Sequence, residues 1–178
     1  MIIIIIGPGG SGKSTLVKSI SEILNIKKII STTSRKIRKN EIDHVDYHFI
    51  SKDDFKKRIE QNLFLEFDEI YDNYYGIAHN DFNENCIATL TIDGAKFVMQ
   101  NHDNVIILYL KCSYKICRER MMLRDNINKR CDDLYIRLKK DQVLYRKIPY
   151  SCFLVDASMP KENVLTEALR FIKQAYKL

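Results

Sequence analysis

The run Gly7-Pro8-Gly9-Gly10-Ser11-Gly12-Lys13-Ser14-Thr15 fits the pattern G-x-x-x-x-G-K-[ST], which folds as a loop around phosphate groups when it lies between a buried strand and a helix. Glycines at these places let backbone N–H groups turn inward around phosphate oxygens, and a helix expected to begin near Lys13 adds the positive end of its dipole. Lys13 would reach the β- and γ-phosphates, and Ser14 would offer its hydroxyl to a Mg²⁺ ion bridging the same two groups. Gly7, Gly9, Gly10 and Gly12 are four of the chain's six glycines, so background composition does not explain the match. Together with Ser11 and Thr15 these residues form the expected nucleoside triphosphate site. The motif alone does not say whether the phosphoryl group passes to water, a protein or a small molecule.

A second set of anion-binding groups follows about twenty residues on. In Ser31-Thr32-Thr33-Ser34-Arg35-Lys36-Ile37-Arg38, two arginines stand three apart with hydroxyls before them. Guanidinium forks hold a phosphate in a fixed geometry that an ammonium cannot reproduce, so Arg35 and Arg38 suit a second phosphate held against the first. Taken alone, the segment equally fits a solvated basic loop.

The elements that must position these residues alternate. Apolar runs at 2–6, 28–32, 86–92, 105–110 and 152–155 have the length and continuity of strands buried on both faces. Helical spacing separates several of them: Leu16, Ile20, Ile23 and Leu24 mark one stripe, and Ile116, Arg120 and Leu123 a weaker one. Val164, Leu165, Ala168, Leu169 and Ile172 mark a C-terminal stripe begun after Pro160. Strand and helix in alternation imply an α/β core, a parallel sheet covered on both sides. Residues 33–84 break the rhythm with charge and tyrosine, an alternating segment at Tyr47 to Ile50 and a helix near 52–61, and read as an inserted lobe. The stretch 121–135, with Arg120, Arg124, Arg130 and Arg137 in or beside it, reads as a mobile lid.

At 178 residues the chain suits one domain, and 46% hydrophobic with 29% charged residues exclude a disordered or collagen-like class. Lys and Arg total 29 against 23 Asp and Glu, a net +6 compatible with an anionic partner. Five cysteines, Cys86, Cys112, Cys117, Cys131 and Cys152, show no C-x-x-C spacing and read as reduced thiols. Ile2 to Ile6 is too short for a signal-peptide core or a membrane span, so a cytoplasmic protein without membrane or nucleic-acid partners is expected.

The pieces GPGGSGKST, STTSRKIRKNE, DYHF, FLEF at Phe64 to Phe67 and NYYG at Asn73 to Gly76 occur in an order and at separations that resemble guanylate kinases. The resemblance is tight from the phosphate loop to about Tyr75 and weaker from Thr91 to the C-terminus. It implies a single domain over 1–178, with a core of 1–32 and 85–178, an acceptor lobe of about 33–84 and a lid of about 121–135. The activity it implies is phosphoryl transfer from ATP to GMP, or dGMP, with Mg²⁺. Arg35, Arg38, Tyr47 and Tyr75 would hold the acceptor's phosphate, and Ser31 and Glu66 would face its base. Arg124 and Arg137 would be the two lid arginines, with Arg130 a rival for the second; Lys13, Arg35, Arg124 and Arg137 would stabilise the transferring group. A carboxylate at Glu66 suits guanine, whose N1 and N2 carry N–H donors, whereas adenine has an unprotonated N1.

Two positions depart from that pattern. Where a hydroxyl is common after Tyr75-Gly76, this chain has Ile77, and where a D-x-D pair is common it reads Thr91-Ile92-Asp93, with a shortened turn expected after it. Asp93 would remain as the acid near the acceptor or the metal's water shell. These departures keep open a kinase for another small phosphorylated acceptor; a silent binding module is disfavoured by the intact Gly12-Lys13-Ser14.

Overall fold

The computed structural model of the protein describes residues 1–39, 41–70, 72–125, 139 and 152–177. Among these, the first strand, β1 (Ile2–Ile6), is the centre of the molecule: each of its five isoleucines is at most 1% exposed. Ile3 and Ile5 pack under one layer of helices and Ile2, Ile4 and Ile6 under the other, which explains an unbroken apolar run where a half-exposed strand would alternate. Burying each such side chain stabilises the fold by about 1.5–3 kcal/mol, so β1 fixes the start of the phosphate loop that follows it.

From β1 the chain passes through the glycine loop into α1 (Lys13–Leu24), then β2 (Lys27–Lys28) and β3 (Thr32–Thr33). The lobe contains β4 (His48–Phe49), α2 (Lys52–Glu60), β5 (Phe64–Ile70) and β6 (Asn73–Ala78). The core resumes with β7 (Cys86–Thr89), α3 (Ile92–Asn101), β8 (Val105–Lys111) and α4 (Tyr114–Asp125), and closes with β9 (Phe153–Asp156) and α5 (Lys161–Tyr176). The core sheet is parallel throughout, in the order β2-β7-β1-β8-β9, and the lobe sheet runs β4-β3-β6-β5. An α/β architecture with a parallel core is therefore what the alternation predicted.

Three expected elements differ in extent. The run 28–32 is two strands in two sheets: Lys27–Lys28 pair with β7 in the core, and Thr32–Thr33 pair with β6 in the lobe. The apolar run supports both because Ile29 still donates to Ile87 O at 2.9 Å before the chain crosses over. The run 86–92 ends as a strand at Thr89, since Thr91 caps α3 by accepting from Gly94 N at 3.0 Å. On α4 the inward face is Cys117 and Met121, four apart and at most 2% exposed, while Leu123 is 79% exposed. Stretch 121–125 is thus the last turn of a helix rather than loop, and the rest of the expected lid lies outside the described residues.

The lobe has its own small core. Ser51 caps α2, accepting from Asp54 N at 3.0 Å, and Phe55, fully buried, stacks on Phe64 at 4.3 Å and Tyr74 at 5.3 Å. Ile77, also fully buried, inserts from β6 into the cluster around Ile2, Ile4, Leu90 and Ile92 and so ties the lobe sheet to the main core. At the far end of the chain the Tyr176 hydroxyl accepts from Ile2 N (3.1 Å) and donates to Asn104 O (2.5 Å), anchoring α5 to the start of β1.

Candidate active site

A cavity of about 1460 Å³ opens between the glycine loop, the lobe sheet and the starts of α1 and α3. At Gly10, φ is +79° and a Cβ would come within 2.5 Å of Cys117 O, so only glycine lets the loop turn this tightly against α4. Lys13 begins α1 and its Nζ donates to Gly7 O (2.6 Å) and Pro8 O (3.0 Å), which holds the ammonium across the loop. Ser14 and Thr15 follow in the first helical turn, exposed beside the cavity. Ser11 is 2% exposed, and its Oγ has no hydrogen-bond partner among the described atoms.

The two lobe arginines also face this cavity. Arg35 grips Glu41 with both guanidinium branches, at 2.8 and 2.9 Å, and Arg38 reaches the same carboxylate through its side chain (3.1 Å) and its backbone N–H (2.9 Å). Burial opposes the charge on Glu41, but the Arg35 and Arg38 contacts prevail and hold its carboxyl below the usual range. The Arg35 guanidinium lies 5.2 Å from the Tyr47 ring centre, and Tyr47 meets Tyr75 edge-on at 6.3 Å. Burial, followed by the neighbouring Tyr75, pushes the Tyr47 phenol up, so it is a neutral donor at physiological pH. Two cations, two phenols and a clamp that sets their spacing make this end suited to a phosphate.

Another part of the lining is acidic. Glu66 on β5 faces the cavity, and burial, then the nearby Asp68 charge, raises its carboxyl to about 7. Its tip rests on Gly94 in the first turn of α3, where any Cβ would collide with the carboxylate. Ile77 stands opposite Glu66 in the register of β5 and β6 but belongs to the core, which is why no hydroxyl is presented there. Ser31, 8% exposed, also lines this cavity. Asp93 occupies the first turn of α3, with its side chain 75% exposed and 3.2 Å from Lys96 Nζ. Thr91-Ile92-Asp93 is accordingly a helix start rather than the end of a strand.

Comparison with known proteins agrees with this geometry. The family model described as guanylate kinase matches residues 1–174. The chain belongs to the guanylate kinase family. It is 42% identical to the guanylate kinase of Rickettsia bellii over 62% of this chain and 61% of that protein, about three fifths of its length. It is 34% identical to the guanylate kinase of Rickettsia felis over 80% of this chain and 79% of the other. The crystal structure of guanylate kinase from Anaplasma phagocytophilum superposes with a TM-score of 0.76 at 19% identity, covering 100% of this chain and 86% of that one, and so shares the fold.

Of the site residues expected from the sequence, Lys13, Ser14, Ser31, Arg35, Arg38, Tyr47, Glu66, Tyr75, Asp93 and Arg124 all line one cavity. Arg130 and Arg137 lie outside the described residues. Sequence reasoning missed the contacts of three groups. Glu41 was part of the matched segment, yet its clamp on Arg35 and Arg38 is a contact that spacing does not show. Arg120 reaches Ser11 O at 3.5 Å and Cys112 Sγ at 3.8 Å, tying α4 to the glycine loop. Asp68 lies two residues beyond Glu66, and strand alternation alone would have put it on the same face. No helix of the described residues is long and apolar enough to cross a membrane.

Proposed function

We infer that the protein transfers the γ-phosphoryl group of ATP to GMP, giving ADP and GDP. The observation that carries this reading is the polarity of the cavity: Lys13, Arg35, Arg38, Arg120 and Arg124 against Glu66, Asp68 and Asp93. Two phosphates need the cationic part, and a base rich in N–H donors needs the acidic part. In this reading the glycine loop with Lys13 binds the donor's phosphates, and Arg35, Arg38, Tyr47 and Tyr75 orient the acceptor's phosphate for in-line attack. Ser31 and Glu66 face the guanine, and Arg124 and Lys13 stabilise the charge spread over the transferring oxygens.

Ser14 would supply a hydroxyl to Mg²⁺, which when bound offsets phosphate charge. No group of three His, Cys, Asp or Glu able to hold a metal occurs among the described residues, and a hard hydroxyl beside the phosphate loop suits an ion held mainly by phosphates and water. The reaction belongs to the cytoplasm, where ATP and GMP are available.

A coupled ADP-release assay with ATP, Mg²⁺ and a panel of GMP, dGMP, AMP, IMP, CMP and UMP tests the reading. GMP or dGMP should be the best acceptor. Preference for AMP or a pyrimidine nucleotide, or no activity with any monophosphate, would overturn it.

A further inference from the structure

Glu66 can accept two of guanine's edge donors, N1–H and one N2–H, leaving the second N2–H without a partner. Asp68 stands next on the same face of β5, half-buried, opposite Tyr75 in the strand register and lining the same cavity. It is held in place from the other side of the cavity. The Thr91 hydroxyl donates to its carboxylate while accepting from Gly94 N, so the capped start of α3 fixes the direction of Asp68. A carboxylate so placed has no use for the acceptor's phosphate, which would repel it, and it has Asp93 and Glu69 as further acidic neighbours. Burial, then Asp93, raises the Asp68 carboxyl above its ordinary range, a cost that an N–H donor would offset.

We propose that Asp68 is a specificity-determining residue that accepts the second hydrogen of the guanine 2-amino group, oriented by Thr91. The proposal rests on the GMP reading above and supplies a recognition contact on a base edge where Ile77 offers none. IMP differs from GMP at this edge only in lacking the 2-amino group, so it isolates the contact.

The test is kcat/KM for GMP and for IMP in the wild type, Asp68→Ala and Asp68→Asn, measured at about pH 8.5 so that the Glu66 carboxylate is ionised in each. In Asp68→Ala the GMP-to-IMP ratio should fall about tenfold, the scale expected when a donor loses a charged acceptor, and in Asp68→Asn, whose amide oxygen still accepts, it should fall by less, while the KM for ATP stays near wild type. Equal changes for GMP and IMP, or an unchanged ratio in Asp68→Ala, would overturn the role of Asp68. Wild type that ignores GMP would overturn the function itself; wild type that prefers GMP, with a ratio indifferent to Asp68, would overturn only this assignment.

Discussion

The two ends of the cavity are built by different means. The phosphate-loop end is made largely of main chain: one continuous segment from β1 into α1 supplies the turn, the helix start and Lys13. The base end is made of side chains from two distant elements, with Glu66 and Asp68 of β5 meeting Thr91 and Gly94 at the start of α3. A backbone cradle is encoded locally and tolerates change poorly, whereas a side-chain pocket depends on tertiary contacts and can be rebuilt. That contrast explains how this chain keeps Gly12-Lys13-Ser14 intact while placing Ile77 and Thr91 at the base.

The contrast is broken most forcefully at Lys13. Lys13→Ala should lower kcat by roughly 10²–10³, the scale of losing one preorganised charge-stabilising donor, with the GMP-to-IMP preference unchanged. A variant that altered preference instead would mean the two ends are not separable. Arg35→Lys comes next. Loss of the fork that grips Glu41 and the acceptor phosphate should raise KM about tenfold for every monophosphate alike, read from acceptor titrations.

Gly94→Ala sharpens the comparison from the other end. In a helix, alanine is favoured over glycine by about 1 kcal/mol, so the melting temperature should hold or rise. Yet the new Cβ would displace the Glu66 tip, so KM for GMP should increase several-fold and that for ATP should not. A pH series separates the ends in another way. Glu66 titrates at about 7, so KM for GMP should rise as pH falls through that value and its carboxylate gains a proton. Because this raised carboxyl binds its proton more tightly folded than unfolded, its contribution to the free protein's stability should move oppositely, improving from pH 7 toward 4.5. The smallest expected effect lies far from both ends: Tyr176→Phe should cost about 1 kcal/mol in denaturant unfolding and leave kinetics intact.

How much was legible in the chain follows the same division. The run Ile2 to Ile6, the glycine loop and the helix starting at Lys13 could be read directly, because strand, turn and helix signals there agree. The lobe helix expected near 52–61 forms over Lys52–Glu60, where the structure shows Ser51 as its cap and Phe55 as its anchor. Apolar content concealed what a hydrogen bond decides: Ile29 carries the run 28–32 across two sheets, and the Thr91 cap ends a strand that apolar content alone extends to Ile92. Glu41 and Asp68 escaped notice because their meaning lies in partners, Arg35 and Thr91, that periodicity does not pair with them. On α4 the inward residues are Cys117 and Met121, soft side chains that weaken an apolar stripe without failing to pack.

The most direct measurement is the ratio of kcat/KM for GMP over AMP in wild type and Glu66→Gln. An amide cannot accept the N1 and N2 donors together, so the ratio should fall by about 10²-fold or more while KM for ATP is unchanged. A ratio that survives Glu66→Gln would contradict a cavity whose acidic end reads the base.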